Sequence, residues 1–261
     1  MGRAVGSPAV TFELTVLGSA GSRTGPGRAC SGYLLTAGET RVMVDCGNGS
    51  TANLQMRMPF WELDGVLITH RHADHCVDLV GMYYALKFHE NGARHVPLYA
   101  APEVMDMLTS LLTRDSAFEF AEAFPCTEVD AGDRFQIGDL SFELFPSIHP
   151  VPTVSLRAEA EGKVLAYSSD SYGGPDLIEA ARGADVFLCE ATWPGDLADH
   201  PEGIHLTGKA AGRIATEAEV GHLLLTHLWP DADRDLIRDE CRQTWAGKLD
   251  LVEDNQIWTV S

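Results

Sequence analysis

Residues 68–76 read ITHRHADHC and place three histidines and an aspartate within six positions. Packing does not ask for such a cluster. Burying imidazole without partners is costly, and neighbouring rings repel one another once protonated. A metal ion removes the conflict, because it takes neutral imidazole and ionised carboxylate at short range. His70 follows the apolar run GVLIT (65–69), so it stands on a loop at a strand's carboxyl end, where α/β folds build their sites. His70 and His72 alternate and can reach one ion. Asp74 and His75 lie one turn further on and can reach a second.

Three residues downstream are weaker signals taken singly. His149, in FPSIHPVPT (145–153), reads equally well as an ordinary loop histidine, and Asp170, closing VLAYSSD (164–170), as a plain turn aspartate. His227 ends LLLTH (223–227) just as His70 follows GVLIT. That repeat of apolar strand, Thr, His implies two halves delivering a histidine to the same edge. A dinuclear site needs a bridging carboxylate and histidines from both halves, and Asp170, His149 and His227 supply them.

The rest of the chain fits a frame of that kind. Strand-like runs lie at 10–17, 32–36, 41–45 and 65–69, then at 140–145, 153–157, 163–167, 185–189 and 222–226. Helical patterns cover 76–90 and 102–113, the latter opening near Pro102, and then 175–182, 207–218 and 233–245. Each half reads as strands followed by helices. Two such halves packed sheet to sheet with helices outside give an α/β, four-layer αβ/βα sandwich. No linker or low-complexity tract divides residues 1–261, which are expected to form one domain.

Composition narrows the partners. Lys and Arg number 19 against 38 Asp and Glu, a formal charge of −19. That balance opposes non-specific binding to RNA, DNA or an anionic membrane, since phosphate contacts need Lys and Arg. It is compatible with one small anionic ligand held by metal ions. The opening MGRAVGSPAV (1–10) lacks the apolar core of a signal peptide, and no apolar run approaches the ~20 residues of a membrane span. Six scattered cysteines (30, 46, 76, 126, 189 and 241) form no CxxC pair. They read as reduced and structural in a cytoplasmic protein.

These residues resemble the metallo-β-lactamase fold superfamily, whose HxHxDH motif stands here as His70, His72, Asp74 and His75. VMVDCGNGS (42–50) resembles its Asp-Cys-Gly strand end, with Asp45 as a carboxylate behind the ligands, and the later ligands match His149, Asp170 and His227 in order. The details resemble the ribonuclease Z-like, phosphodiesterase branch. LGSAGSRTGPGRACSGYLL (17–35) matches its opening strand and Gly-rich loop, FLCEATW (187–193) its Glu-Ala-Thr segment, and HLTGKAAGRIATEAEVGHLLLTH (205–227) its helix leading to the last histidine. The likeness is nearest to the atypical class II-like cyclic nucleotide phosphodiesterases of actinobacteria, which share SGYLL, HADHC, FLCEA and HL(S/T)G segments. Homodimers are common in that branch.

The resemblance implies seven metal ligands and two divalent ions, zinc by donor chemistry with manganese or iron also fitting. His70, His72 and His149 would hold the first ion and Asp74, His75 and His227 the second, with Asp170 between them. It implies hydrolysis of a small phosphodiester by a hydroxide held between the ions, with Asp74, His205 and Glu190 as the catalytic set. His205 would donate the leaving group's proton and Glu190 would orient it. On a plain reading Glu190 is instead a surface carboxylate at a helix start.

True ribonuclease Z, the tRNA 3′ endonuclease, inserts a long arm before the bridging aspartate. Here 20 residues separate His149 from Asp170, and they spell one hairpin turning at Glu161-Gly162. That leaves no room for the arm and ranks pre-tRNA below a small diester. Lactonases and glyoxalase II share the ligands but have no task for His205, and true metallo-β-lactamases lack a carboxylate at the position of Asp170. Scaffold relatives have lost ligands, whereas every one is present here. Tyr83 and Tyr84 (in 81–90) are expected mainly in a helix core, with a place at the pocket mouth as the alternative. Arg23 and Arg28 read as a solvated loop or as phosphate contacts, and 193–204 as a mobile loop beside the site.

Overall fold

The computed structural model describes residues 11–261. The stretch 1–10, read above for its lack of a signal peptide and for a strand start at Val10, lies outside the described residues. The first sheet holds β1 (Phe12–Gly18), β2 (Gly32–Ala37), β3 (Thr40–Cys46), β4 (Gly65–Ile68), β5 (Leu98–Ala100) and β6 (Cys126–Glu128). The second holds β7 (Arg134–Ile137), β8 (Leu140–Pro146), β9 (Val154–Ala160), β10 (Lys163–Tyr167), β11 (Val186–Glu190), β12 (His222–Thr226) and β13 (Lys248–Leu251). The last strand, β14 (Ile257–Thr259), returns to pair with β1, so each sheet has seven strands.

Helices cover the outer faces: α1 (Ser50–Gln55), α2 (Ala73–Cys76), α3 (Asp78–Lys87), α4 (Val104–Ser110) and α5 (Arg114–Ala123), then α6 (Pro175–Ala181), α7 (Gly208–Glu217) and α8 (Arg234–Arg242). The expected four-layer αβ/βα sandwich is the architecture found.

Alternation along the central strands produces the layers. In the second sheet Leu165, Tyr167, Leu188 and Leu224 join the core between the sheets, with Leu14, Leu35 and Val44 of the first sheet. Their neighbours Ala166, Phe187, Cys189, Leu223 and Leu225 face the other way and pack with Leu177, Ala211, Ala215, Ile237 and Cys241 of the helices. A strand covered on both faces is apolar along its covered length, which is why VFLC (186–189) and LLL (223–225) read as unbroken apolar runs.

Strands β3 and β4 run parallel, as do β10, β11 and β12, so their carboxyl ends open on one edge of the sandwich. The β9–β10 hairpin turns at Glu161 (φ 53) and Gly162 (φ 71) as the sequence implied. Two successive positive φ values are the signature of the tight turn that matches strand twist.

The strands that sequence reading missed are short: β5, β6, β7, β13 and β14 have three or four residues each. Helices α1, of six residues, and α5, of ten, were not expected either. The region 76–90 resolves into α2 and α3, and Pro102 precedes α4 by two residues. Tyr83 is fully buried and donates to Glu119 at 2.7 Å, which corrects its alternative place at a pocket mouth.

Candidate metal centre

Asp45, at the end of β3, and Thr69, just beyond β4, build the first support. Asp45 accepts from the Thr69 backbone N–H (2.9 Å), from His75 Nδ1 (2.7 Å) and from the Tyr167 hydroxyl (2.9 Å), all in a fully buried setting. His75 therefore spends its Nδ1 proton on Asp45 and presents Nε2 inward. His70 Nδ1 lies 3.2 Å from the Thr69 hydroxyl, and His149 Nδ1 lies 2.9 Å from the carbonyl of Ile204. His227 Nδ1 lies 2.8 Å from the Thr192 hydroxyl. Each of these four rings donates outward and turns its other nitrogen inward.

The inward nitrogens fall into two groups. His70 Nε2 and His149 Nε2 each stand 3.1 Å from His72 Nδ1. His75 Nε2 stands 3.2 Å from His227 Nε2, which is 3.3 Å from Asp74 Oδ2. Asp170 lies between the groups and divides its oxygens. Oδ1 is 3.1 Å from His75 Nε2 and 3.2 Å from His227 Nε2, while Oδ2 is 3.6 Å from His70 and 3.7 Å from His149. All seven ligand positions expected from the sequence are thus brought together.

The donor set fits metal ions. In the first group the neutral rings of His70 and His149 each turn a lone pair toward His72 Nδ1 at 3.1 Å, and Asp170 Oδ1 is buried without a hydrogen-bond partner. A metal cation held by these donors relieves that arrangement. Four ligands at the 2.0–2.1 Å typical of zinc stand about 3.3 Å apart by tetrahedral geometry, close to the separations found. Charge balance agrees. Burial keeps His70, His72 and His149 below the usual histidine range and so neutral at pH 7. Burial also opposes a second proton on His75, but the charges of Asp170, Asp45 and Asp74 outweigh it and raise that ring well above the usual range. Asp170 goes the other way. Burial favours its neutral form, yet His227 and His75 hold it well below the ordinary carboxylate range.

His205 stands beside this centre, on the loop before α7, whose first turn is capped by Thr207 accepting from the Ala210 N–H at 3.2 Å. Its Nδ1 is 3.1 Å from Glu190 Oε1 and 3.8 Å from Asp170 Oδ2. Burial disfavours the charged ring, but Glu190 overcomes it through charge and hydrogen bond and holds the imidazole up at about 9. Glu190 ends β11 fully buried, so the surface helix-start reading fails: the strand delivers it inward. Asp170, His205 and His227 also form a group of donor atoms within 4.8 Å of one another, so geometry alone gives His205 a second reading as a ligand.

The surrounding loops are pinned. Trp193 meets the His205 ring edge-on at 5.2 Å and stacks on His200 at 4.6 Å. The loop 193–204 is fastened by Gly195 N–H to Glu240 and by Lys209 to Asp196. Arg23 pairs with Asp231 at the surface and lines the open cleft against Asp74, and half-buried Arg28 bonds the Ser19 carbonyl. His89, His95, His200 and His222 are not among the grouped donor residues.

Sequence reading missed Thr192, Tyr167 and Gly21. A Cβ on Gly21 would stand 2.4 Å from the His227 carbonyl oxygen and 2.6 Å from its Nδ1. Gly21→Ala is therefore expected to fold with a displaced His227 and lower metal content. Elemental analysis beside circular dichroism checks this, and wild-type metal content would refute it.

Comparison with known proteins identifies the family. Residues 40–228 match the model of the beta-lactamase superfamily domain. The chain is 34% identical over 258 residues to an uncharacterized protein of Mycobacterium leprae, covering 96% of this chain and 89% of that one. It is 27% identical over 252 residues to the probable metallo-hydrolase YhfI of Bacillus subtilis, covering 95% and 99%. The crystal structure of YhfI superposes with a TM-score of 0.84 at 25% identity, over 96% of this chain and 99% of that one. Ribonuclease Z of Methanopyrus kandleri is 26% identical over 270 residues, covering 88% and 91%. With its family model matched over most of its length and its seven donor residues gathered at one sheet edge, the chain belongs to the beta-lactamase superfamily.

Proposed function

We propose that the chain hydrolyses a small phosphodiester, of which a cyclic nucleotide is the best-fitting class, at a centre of two divalent ions. His70 Nε2, His72 Nδ1 and His149 Nε2 would hold one ion. Asp74, His75 Nε2 and His227 Nε2 would hold the other, with one Asp170 oxygen turned to each. Imidazole and carboxylate without thiolate favour zinc, and manganese or iron suit the same set. When bound, the ions supply Lewis-acid stabilisation of the phosphoryl oxygens and an acidified water.

The observation that carries the reading is the His205–Glu190 pair beside Asp170. A buried imidazole held protonated at neutral pH has a proton to give, and a nucleotide's leaving alkoxide needs one. Nδ1 is occupied by Glu190, which leaves Nε2 as the donating atom. Asp74 is kept in position by the Ser22 N–H at 2.8 Å. Although burial favours its neutral form, the charge of His75 holds it below the usual carboxylate range, so it stays ionised, the form in which it would hold the second ion and orient a water there.

Substrate size follows from the surroundings. An open cleft of about 440 Å³ lies against Asp74, lined by Ser22, Arg23, Thr24 and Asn48, which would admit a small molecule from that side of the centre. The hairpin turn at Glu161-Gly162 carries no arm, Arg23 and Arg71 are tied to Asp231 and Glu103, and the charge is −19. Among the described residues these features favour a small anion over a polyanion. Likeness to proteins named ribonuclease Z keeps pre-tRNA cleavage as the second reading.

A panel on metal-loaded protein should include 3′,5′-cyclic AMP, bis-p-nitrophenyl phosphate, pre-tRNA, a β-lactam and an acyl-homoserine lactone. Turnover is expected on the first two and negligible 3′ cleavage on pre-tRNA. Efficient pre-tRNA cleavage at physiological salt reverses the ranking.

A further inference from the structure

We infer that the Thr192 hydroxyl is a positioning group for the second metal position, fixing which nitrogen of His227 faces the ion and tying that ligand to Glu190. The inference rests on the reading of the centre as a metal site, not on the choice of substrate.

The proton bookkeeping leaves one arrangement. Glu190 Oε1 accepts from the Ser171 N–H at 2.6 Å and from His205 Nδ1 at 3.1 Å. Its Oε2 is 2.7 Å from the Thr192 hydroxyl. The Thr192 hydroxyl also lies 3.1 Å from the His227 carbonyl oxygen; a carbonyl and an ionised carboxylate only accept, so its one proton goes to one of these two, of which Oε2 is the nearer. A hydroxyl has one proton, so toward His227 Nδ1, 2.8 Å away, the same oxygen must accept. The proton of His227 is thereby placed on Nδ1, and the Nε2 lone pair faces Asp170, His75 and Asp74. All three members are buried, so water does not substitute for the hydroxyl. His227 also sits at φ +57, a region a non-glycine residue holds only when its surroundings dictate it.

The other half of the molecule carries the same device. His70 Nδ1 is 3.2 Å from the Thr69 hydroxyl, which is 3.0 Å from Asp45. There the threonine directly precedes its histidine. In the second half Thr226 precedes His227, but its hydroxyl meets Tyr33 at 2.8 Å, and Thr192 from beyond the neighbouring strand takes the role. One carboxylate, Glu190, thus supports a ligand of one ion through Oε2 and the adjacent His205 through Oε1.

The test uses metal-loaded Thr192→Val and Thr192→Ser. Valine keeps the shape and removes the hydroxyl, whereas serine keeps the hydroxyl and removes the methyl. Metal per chain is measured by elemental analysis after dialysis against graded chelator, with thermal melting of the metal-free proteins alongside. Support lost behind a ligand typically weakens a metal about 10- to 100-fold. Thr192→Val should release one of two ions at correspondingly lower chelator strength, while Thr192→Ser follows wild type. If Thr192→Val is insoluble, Thr192→Ala gives the same readout. Wild-type retention by the hydroxyl-free variant, or equal loss in Thr192→Ser, overturns the inference. Because no substrate enters the measurement, a failed phosphodiester assay leaves this result separately readable.

Discussion

His205→Ala should keep both metal positions filled while turnover of a cyclic nucleotide falls about 10²- to 10⁴-fold, the usual loss for a general acid. The substituted ring sits outside the two three-residue groups, and Glu190 retains the Ser171 and Thr192 donors, so the centre keeps its supports. On a p-nitrophenyl ester the leaving group needs no proton, and the loss should be far smaller. Equal losses on both esters would argue that His205 binds the phosphoryl group instead. Loss of metal would make it a ligand, the reading that its place near Asp170 and His227 leaves open. The pH profile adds an independent check. A group held at about 9 against its burial is fully protonated near neutrality and loses its proton as pH rises through 9. Activity on the cyclic substrate should decline along that limb. Glu190→Gln removes the charge that raises the ring, so its limb should move to lower pH, and an unmoved limb would exclude His205 as the donor.

Asp170→Ala is expected to weaken both metal positions together, by more than the roughly 100-fold that marks loss of a merely supporting group. The ground is the division of one carboxylate between two clusters, with Oδ1 at 3.1 and 3.2 Å from His75 and His227 and Oδ2 facing His70 and His149. Other carboxylates near the centre are engaged elsewhere, Asp45 with Thr69, His75 and Tyr167, and Glu190 with Ser171, Thr192 and His205. Hydrolysis should vanish with the metals. If elemental analysis finds two tightly held ions in Asp170→Ala, the bridging role is wrong.

What the sequence disclosed and what it withheld divide along contact range. HxHxDH was legible because its four donors are local, and His227 because the strand-Thr-His pattern repeats that of His70. Fold class followed from long apolar runs that only doubly covered strands require. Glu190 stayed ambiguous, because FLCEATW fits a strand end and a helix start equally well. Thr192 and Tyr167 were invisible, since their partners lie 35 and 122 residues away and a hydroxyl carries no signature of its own. Strands such as LYA and CTE are too short for periodicity. Helix α5 did leave a trace, with Thr113 capping the Ser116 N–H and Phe120 and Ala123 buried on one side.

The bare turn at Glu161-Gly162 separates two properties that enzymes often entangle. Strands β9 and β10 carry the chain about 20 Å, at roughly 3.3 Å per residue, between that turn and the edge holding His149 and Asp170. Loop tips of this kind accept inserted segments readily. Length added there could reach toward a bulky molecule without displacing a single donor atom. Selectivity for large or small targets is thus detachable from reactivity in this architecture, and the short hairpin makes the chain a natural recipient for grafted recognition modules.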